Sequence, residues 1–331
     1  MRYLFSCRKY NLPLKVPLKT AHGVWSEREG ILIRLEDEAG KAGFGEIAPI
    51  EWFGTETLTE AEAVCGDLGD KPDGAKLDAV PGRFACVRFA LTAARSGTVA
   101  KKSDRRLPVA ALLPAGRAAL EVLPAKLEAG FLAFKWKVGV RPPAEELGIL
   151  DDLLGMLPAY TRLRLDANGA WGRRQAEAWL ARCAERPVEF VEQPAAAEQV
   201  DLLLGLANDY PVTLALDESV TGLAAACEWQ ARGWPGVFVI KPALAGPLPE
   251  IADWMTRTKP DVVFSSAIET ALARAAILRF VLAHDLTKRA LGFGVGQVFG
   301  DRRWDGPLVG PLLDAGWCDA VAGEELWNAL S

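Results

Sequence analysis

Histidine is nearly missing from this chain: His22 and His284 are the only two in 331 residues. A zinc site built on several imidazoles is excluded, and a serine–histidine–aspartate triad has almost nothing to draw on. The six cysteines, Cys7, Cys65, Cys86, Cys183, Cys227 and Cys318, are scattered and form no C-x-x-C pair. A chain of this length needs no covalent staples, so reduced thiols in the cytoplasm are the expectation. Long basic runs are absent too. Lys101-Lys102 and Arg105-Arg106 are too short to track a phosphate backbone, and the net charge is −5, so nucleic acid is not expected as a partner. No stretch of about 18 uncharged apolar residues occurs, which argues against a membrane span. Met1 to Ser6 lacks the apolar run of a secretory leader.

What the chain does have is apolar mass, half of its residues. Its length suits a barrel of roughly 250 residues with a smaller companion. Residues 1–105 read as an α+β capping domain. Segments 3–10 and 30–37 alternate like antiparallel strands, and Glu38-Ala39-Gly40-Lys41 supplies a hairpin turn into 41–47. Thr57 to Leu68 has helical spacing, with Thr57 or Thr59 as N-cap. The charged stretch Lys101 to Arg106 is taken as the junction.

From 106 to 294 the texture changes. Short β-rich runs at 108–114, 131–138, 162–167, 188–193, 212–217, 236–241, 261–266 and 290–294 alternate with Ala/Leu/Glu-rich helical stretches. Polar residues close the runs: Lys137, Asp166, Glu192, Asp217, Lys241 and Ser266, spaced 24 to 29 residues apart. That spacing holds one strand, one helix and two short loops, and the alternation implies a parallel sheet. Eight units predict an α/β fold with a (β/α) barrel of the TIM type. An open doubly wound sheet would carry a glycine-rich phosphate turn after its first strand; Pro114-Ala115-Gly116 is not one, and Gly292-Phe293-Gly294-Val295-Gly296-Gln297 lacks the last glycine and comes too late. Residues 295–331 are expected to pack back on the capping domain or the barrel rim.

Ligands of a parallel barrel bind where its strands end, which is where these polar residues fall. In Phe134-Lys135-Trp136-Lys137-Val138 the two lysines share one strand face and Trp136 takes the other. Two ammonium groups on a buried face repel, which favours releasing a proton and gives a general base; a solvated edge strand is the plainer alternative. Asp166, Glu192 and Asp217 end three successive strands, so their carboxylates should converge. A divalent cation resolves the repulsion, and an all-oxygen set favours Mg²⁺ over Zn²⁺. Any one of these acids alone is more often a helix N-cap or a loop charge; three in sequence at equal spacing are harder to dismiss. Lys241, after Val239-Ile240, is either a snorkelling side chain or a group on the flank opposite Lys137. Ser265, Ser266 and the Gly292 backbone are candidates to hold a carboxylate.

The series K-x-K, D-A-N, E-Q-P, D-E-S and K-P, in this order and spacing, resembles the enolase superfamily in its muconate-lactonising subgroup. Arg164 before Asp166, Asn168-Gly169-Ala170-Trp171 after it, Ser265 to Thr270, His22 to Gly30 and Gly45 to Thr57 bring it nearest to members that make o-succinylbenzoate for menaquinone and phylloquinone. The resemblance spans nearly the whole chain. It implies that Asp166, Glu192 and Asp217 bind Mg²⁺, with Mn²⁺ as a substitute. Lys137 is then the base, and afterwards the acid, in syn dehydration of a cyclohexadiene carboxylate. Lys241 stabilises the anion, Lys135 tunes Lys137, and Arg164, Ser265, Ser266 and Gly292 contact the substrate. Loops near 22–28 and 50–56 close the mouth. Three other functions compete: an N-acylamino acid racemase, which shares the core residues, a metal-free Schiff-base lyase and a non-catalytic binding barrel. The Asp-x-Asp that dipeptide epimerases carry at the eighth strand end is absent. The expected partner is a small carboxylate.

Overall fold

The computed structural model describes residues 1–331 except 21–22, 97–104, 287 and 331, and the side chain of Lys19. His22 and most of the charged stretch read as the junction therefore lie outside the described residues.

The N-terminal part is a three-stranded sheet in the order β1 (Leu4–Thr20), β2 (Gly23–Glu36), β3 (Ala42–Ile47). β1 and β2 pair antiparallel from Leu4–Glu36 to Thr20–Gly23, with a register shift between Pro13 and Leu18. Both strands run well past the segments whose alternation marks them. Pro13 and Pro17 are tolerated because β1 is an edge strand. Ile31, Ile33 and Leu35 alternate inward. β3 carries Gly43 and Gly45, where an added Cβ would sit 1.9 Å from the Ala94 carbonyl and 2.1 Å from that of Ala90. The helix Ala85–Ser96 thus lies directly on the β3 backbone. The helix Leu58–Leu68 starts at Thr57, whose hydroxyl accepts from the Glu60 amide at 3.1 Å while Glu60 accepts from the Thr57 amide at 2.9 Å. This reciprocal cap fixes where the preceding loop ends.

The short β4 (Arg106–Pro108) leads into seven parallel strands: β5 (Ala110–Leu113), β6 (Ala133–Lys137), β7 (Arg162–Asp166), β8 (Val188–Glu192), β9 (Leu214–Leu216), β10 (Val237–Ile240) and β11 (Val262–Phe264). They follow one another in sequence order, as repeated β/α units require. The eighth run is shorter than expected: Leu291 bridges Val109 and Gly292 bridges Ser265, both parallel. These two residues join β11 to β5 and close the barrel. Phe190, Ala215, Val237, Val239 and Val263 fill its interior beneath the strand ends, the layered filling of such barrels.

The C-terminal segment returns to both parts. Its strand β12 (Leu312–Asp314) pairs antiparallel with β4. Phe299, Trp304, Leu326 and Trp327 join Tyr10, Leu12, Leu14 and Leu32 of the sheet, and Ala271 and Leu272 of the helix Ala271–Ala283, in one cluster. Among the described residues, no helix is long and apolar enough to cross a membrane.

Candidate active site

Strand alternation and register build the site. In β6, Trp136 is fully buried on the outer face while Lys135 and Lys137 face the interior. Lys137 stands opposite Asp166, and Asp166 opposite Glu192, so base candidate and first two acids form one row. β9 ends one residue before Asp217 and β10 one before Lys241. All three acids are buried: Asp166 is 8 % exposed, Glu192 2 % and Asp217 6 %.

The three acids share the strand-end face of the barrel with two lysines. Among the described residues, no three His, Cys, Asp or Glu side chains stand close enough to hold one ion as placed. Lysines stand among the carboxylates instead. Lys135 Nζ lies 2.8 Å from Asp166 Oδ2 and 2.7 Å from Glu192 Oε1, and Lys241 pairs with Asp217. Burial works against the charge of Lys135, but Asp166, Glu192 and Asp217 outweigh it and raise its proton affinity above that of a free lysine. Lys137 has no side-chain hydrogen bond or ion pair among the described residues, unlike its two neighbours.

The site remains short of positive charge. Glu192 is pushed up to about 8 by burial, with Lys135 opposing and Asp166 and Asp217 adding to the rise. Glu218 is pushed up to about 7 by burial and by Asp217 and Asp166. Its Oε2 is buried without a partner. An all-oxygen set with an orphaned carboxylate oxygen fits a hard divalent cation.

Several positioning residues carry no signal that local sequence could reveal. Gln193, at φ 39°, accepts from the Asp217 amide at 3.0 Å and the Ser219 amide at 3.1 Å, and donates to the Ser219 hydroxyl at 2.7 Å. It ties the end of β8 to the end of β9. Asn168, at φ 44°, donates its amide to Asp166 at 3.1 Å and its side chain to Glu218 at 3.0 Å. The letters Q and N of E-Q-P and D-A-N were visible; their long-range partners were not.

The predicted substrate contacts divide. Ser265 is on the interior face with Val263, its hydroxyl 3.2 Å from the Gly292 carbonyl. Ser266 is on the opposite face. Its hydroxyl donates to Glu269 at 3.1 Å and accepts from Arg274 at 2.6 Å, so it belongs to a buried ion pair outside the site. Arg164 faces the interior but one rung too deep. It donates to Glu189 at 2.6 Å and to the Ala290 carbonyl at 2.9 Å, at the strand-start end of the barrel. The Gly292 amide is used by the Phe264 carbonyl at 2.8 Å. Gly292 therefore offers room rather than a donor: a Cβ there would meet Ser265 Oγ at 2.6 Å.

The capping part reaches the mouth. Phe53 lies under Lys241, whose Nζ is 4.1 Å from the ring centre. Trp52 meets Trp25 edge-on at 5.0 Å. Arg28, 2 % exposed, donates to the Ala48 carbonyl, to that of Pro49 at 2.8 Å and to that of Ile268 at 3.2 Å. One guanidinium thus clamps β2, the 48–53 loop and a barrel loop together. Glu46, fully buried, accepts from Tyr10 at 2.6 Å, the Thr270 amide at 3.0 Å and the Ala273 amide at 3.2 Å. It is a carboxylate of β3 capping the barrel helix Ala271–Ala283.

A parallel barrel with carboxylates ending consecutive strands and lysines on both flanks defines the enolase type of barrel enzyme. Comparison with known proteins agrees. Residues 118–295 match the family model "Enolase C-terminal domain-like", and residues 3–96 match "MenC, N-terminal domain". The o-succinylbenzoate synthase of Thermosynechococcus vestitus is 42 % identical over 98 % of both chains. That of Edwardsiella ictaluri is 31 % identical over 82 % of this chain and 84 % of its own. The crystal structure of o-succinylbenzoate synthase from Thermosynechococcus elongatus BP-1, complexed with Mg in the active site, superposes with a TM-score of 0.89 at 39 % identity, covering 98 % of this chain and 99 % of that one. The L-Ala-D/L-Glu epimerase of Bacillus subtilis shares the fold, with a TM-score of 0.79 at 19 % identity over 95 % and 96 % of the two chains. The chain belongs to the o-succinylbenzoate synthase family of the enolase superfamily.

Proposed function

We propose that this chain is a hydro-lyase that dehydrates 2-succinyl-6-hydroxy-2,4-cyclohexadiene-1-carboxylate to o-succinylbenzoate in the cytoplasm, on the route to menaquinone or phylloquinone. The observation that carries the reading is the row Lys137–Asp166–Glu192 with Asp217 and Lys241 beyond it. Asp166, Glu192 and Asp217 would hold Mg²⁺; the Thermosynechococcus structure carries Mg in its active site. The bound cation supplies Lewis-acid stabilisation of the negative charge that reaches the substrate carboxylate when its α-proton leaves.

The rest is done by side chains. Lys137 takes the α-proton on Nζ. The same ammonium then gives that proton to the hydroxyl on the adjacent ring carbon, which departs as water from the same face. The lysine ends as it began, so one group serves both half-steps. Lys241 balances the developing anion from the opposite flank, held by Asp217 and by the Phe53 ring. Lys135 fixes the orientation of Asp166 and Glu192. Ser265, beside the side-chain-free Gly292, faces the succinyl arm. Trp25, Trp52 and Phe53 screen the mouth from water.

The test is a direct assay with Mg²⁺ on the cyclohexadiene precursor and, in parallel, on an N-succinyl amino acid. Formation of o-succinylbenzoate at a kcat/KM well above that for racemisation is expected. Racemisation of the amino acid with no dehydration would replace this reading with that of a racemase.

A further inference from the structure

Cys7 and Cys65 meet outside the active site. Phe5, Cys7 and Lys9 share one face of β1. On the helix Leu58–Leu68, Glu62 and Cys65 lie one turn apart on one face. Lys9 Nζ reaches Glu62 Oε2 at 2.6 Å. The next rung of that strand-to-helix contact places Cys7 of β1 beside Cys65 of the helix. Cys7 is exposed and Cys65 is 4 % exposed.

We propose that Cys7 and Cys65 are a peroxide-reactive dithiol that closes to a disulfide fastening β1 to the helix Leu58–Leu68. The order of attack follows from the two environments. Cys7 is open to solvent and Cys65 is not, and the neighbouring Cys65 thiol, assisted by Lys9, draws Cys7 below its ordinary value, to about 7, against burial and Glu62. Cys65 is pushed strongly upward by its partner and by burial. The exposed sulfur is the nucleophile and the buried one the resolving thiol. Cys7 thiolate attacks a peroxide oxygen, the O–O bond breaks, and the leaving oxygen takes up a proton as water, or as an alcohol from an alkyl hydroperoxide. Cys65 sulfur then attacks the Cys7 sulfenic acid. The S–S bond forms, the S–O bond breaks, and the hydroxyl leaves with the Cys65 proton as a further water. Two thiols lose two electrons and one peroxide is reduced. Cys227 is a built-in control: it is also exposed, but burial raises its thiol and Arg257 only partly offsets that.

The experiment treats the full-length protein with stoichiometric hydrogen peroxide, alkylates it in denaturant, and maps it by mass spectrometry without reductant. The expected result is a loss of two of the six alkylation sites, a cross-link between the peptides carrying Cys7 and Cys65, and reversal by dithiothreitol. In Cys65→Ser, dimedone should label Cys7; in Cys7→Ser, Cys65 should stay alkylatable after peroxide. Cys7 left as a free thiol while Cys227 is oxidised first overturns the proposal. So does oxidation of Cys7 to the sulfinic acid with Cys65 still reduced.

Discussion

Removing the Glu46 carboxylate should loosen the capping part from the barrel before it harms the chemistry. Glu46→Ala leaves Tyr10 and the amides of Thr270 and Ala273 without their acceptor, all buried. An orphaned buried donor costs about 1–3 kcal/mol. Against this, the carboxylate is itself poorly solvated: burial raises its proton affinity, and Thr270 and Tyr10 pull it back only in part. A net loss of about 3 kcal/mol is expected, at the low end for breaking a buried charged network. Glu46 leads directly into Ala48 and Pro49, whose carbonyls Arg28 holds, and on to Phe53 beneath Lys241. KM should therefore rise more than kcat falls. Urea unfolding followed by tryptophan fluorescence, with steady-state kinetics on the same samples, checks both. Glu46→Gln keeps one acceptor oxygen and should lose less. The pH dependence has a definite sign. Folding raises the proton affinity of Glu46, so stability falls as pH rises from the unfolded value, about 4.3, through the folded one, and Glu46→Gln should flatten that slope. A Glu46→Ala loss within about 0.5 kcal/mol, the range of ordinary surface changes, would refute the reasoning.

Lys137→Ala should lower kcat by at least about 100-fold, the usual contribution of a positioned base, with an unchanged circular dichroism spectrum; retained turnover would sink the base assignment. EDTA should abolish dehydration and Mg²⁺ should restore it, with Mn²⁺ as a substitute; activity indifferent to chelation would favour Schiff-base chemistry, which borohydride trapping on Lys137 or Lys241 would reveal. Phe53→Ala removes the ring beneath Lys241 and should weaken kcat/KM about 2- to 5-fold, the equivalent of about 0.5–1 kcal/mol for an exposed cation–π contact. At the strand-start end of the barrel, Arg164 and Arg289 outweigh burial and hold Glu189 below the usual carboxylate range, and Arg289 does the same for Asp261. Their stabilisation is present above the unfolded carboxylate value and is lost as pH falls through the depressed folded values; acid titration of Glu189→Gln should show a shallower acid limb and lower stability at neutral pH.

The placement of the strand-end residues was legible because a parallel barrel repeats it at a fixed interval. Lys137, Asp166, Glu192, Asp217 and Lys241 all fall on the interior face at that end. Ser266 was misplaced by one residue, and in a strand one residue is the whole difference between faces; alternation from Val263 selects Ser265. Arg164 was placed on the correct face but at the wrong depth, since periodicity in one dimension does not say which end a long side chain reaches. The extent of the first hairpin was hidden because Pro13 and Pro17 interrupt the strand signal. Glu46 and Gln193 could not be found locally, because what defines them is partners on other elements, 224 residues away in the case of Glu46 and Thr270.

The barrel is not equally firm around its circumference. Its hydrogen-bonded ladder runs unbroken from β5 to β11 with β8 at the centre, and closure rests on the two bridges at Leu291 and Gly292. The three acids proposed to hold the cation stand on β7, β8 and the end of β9, as far from that seam as the fold permits. Ser265 and Gly292, the side proposed to meet the substrate's arm, stand at the seam itself. One rim of the mouth can therefore be reshaped, by mutation or by a ligand, without the disturbance passing through the strands that hold the acids.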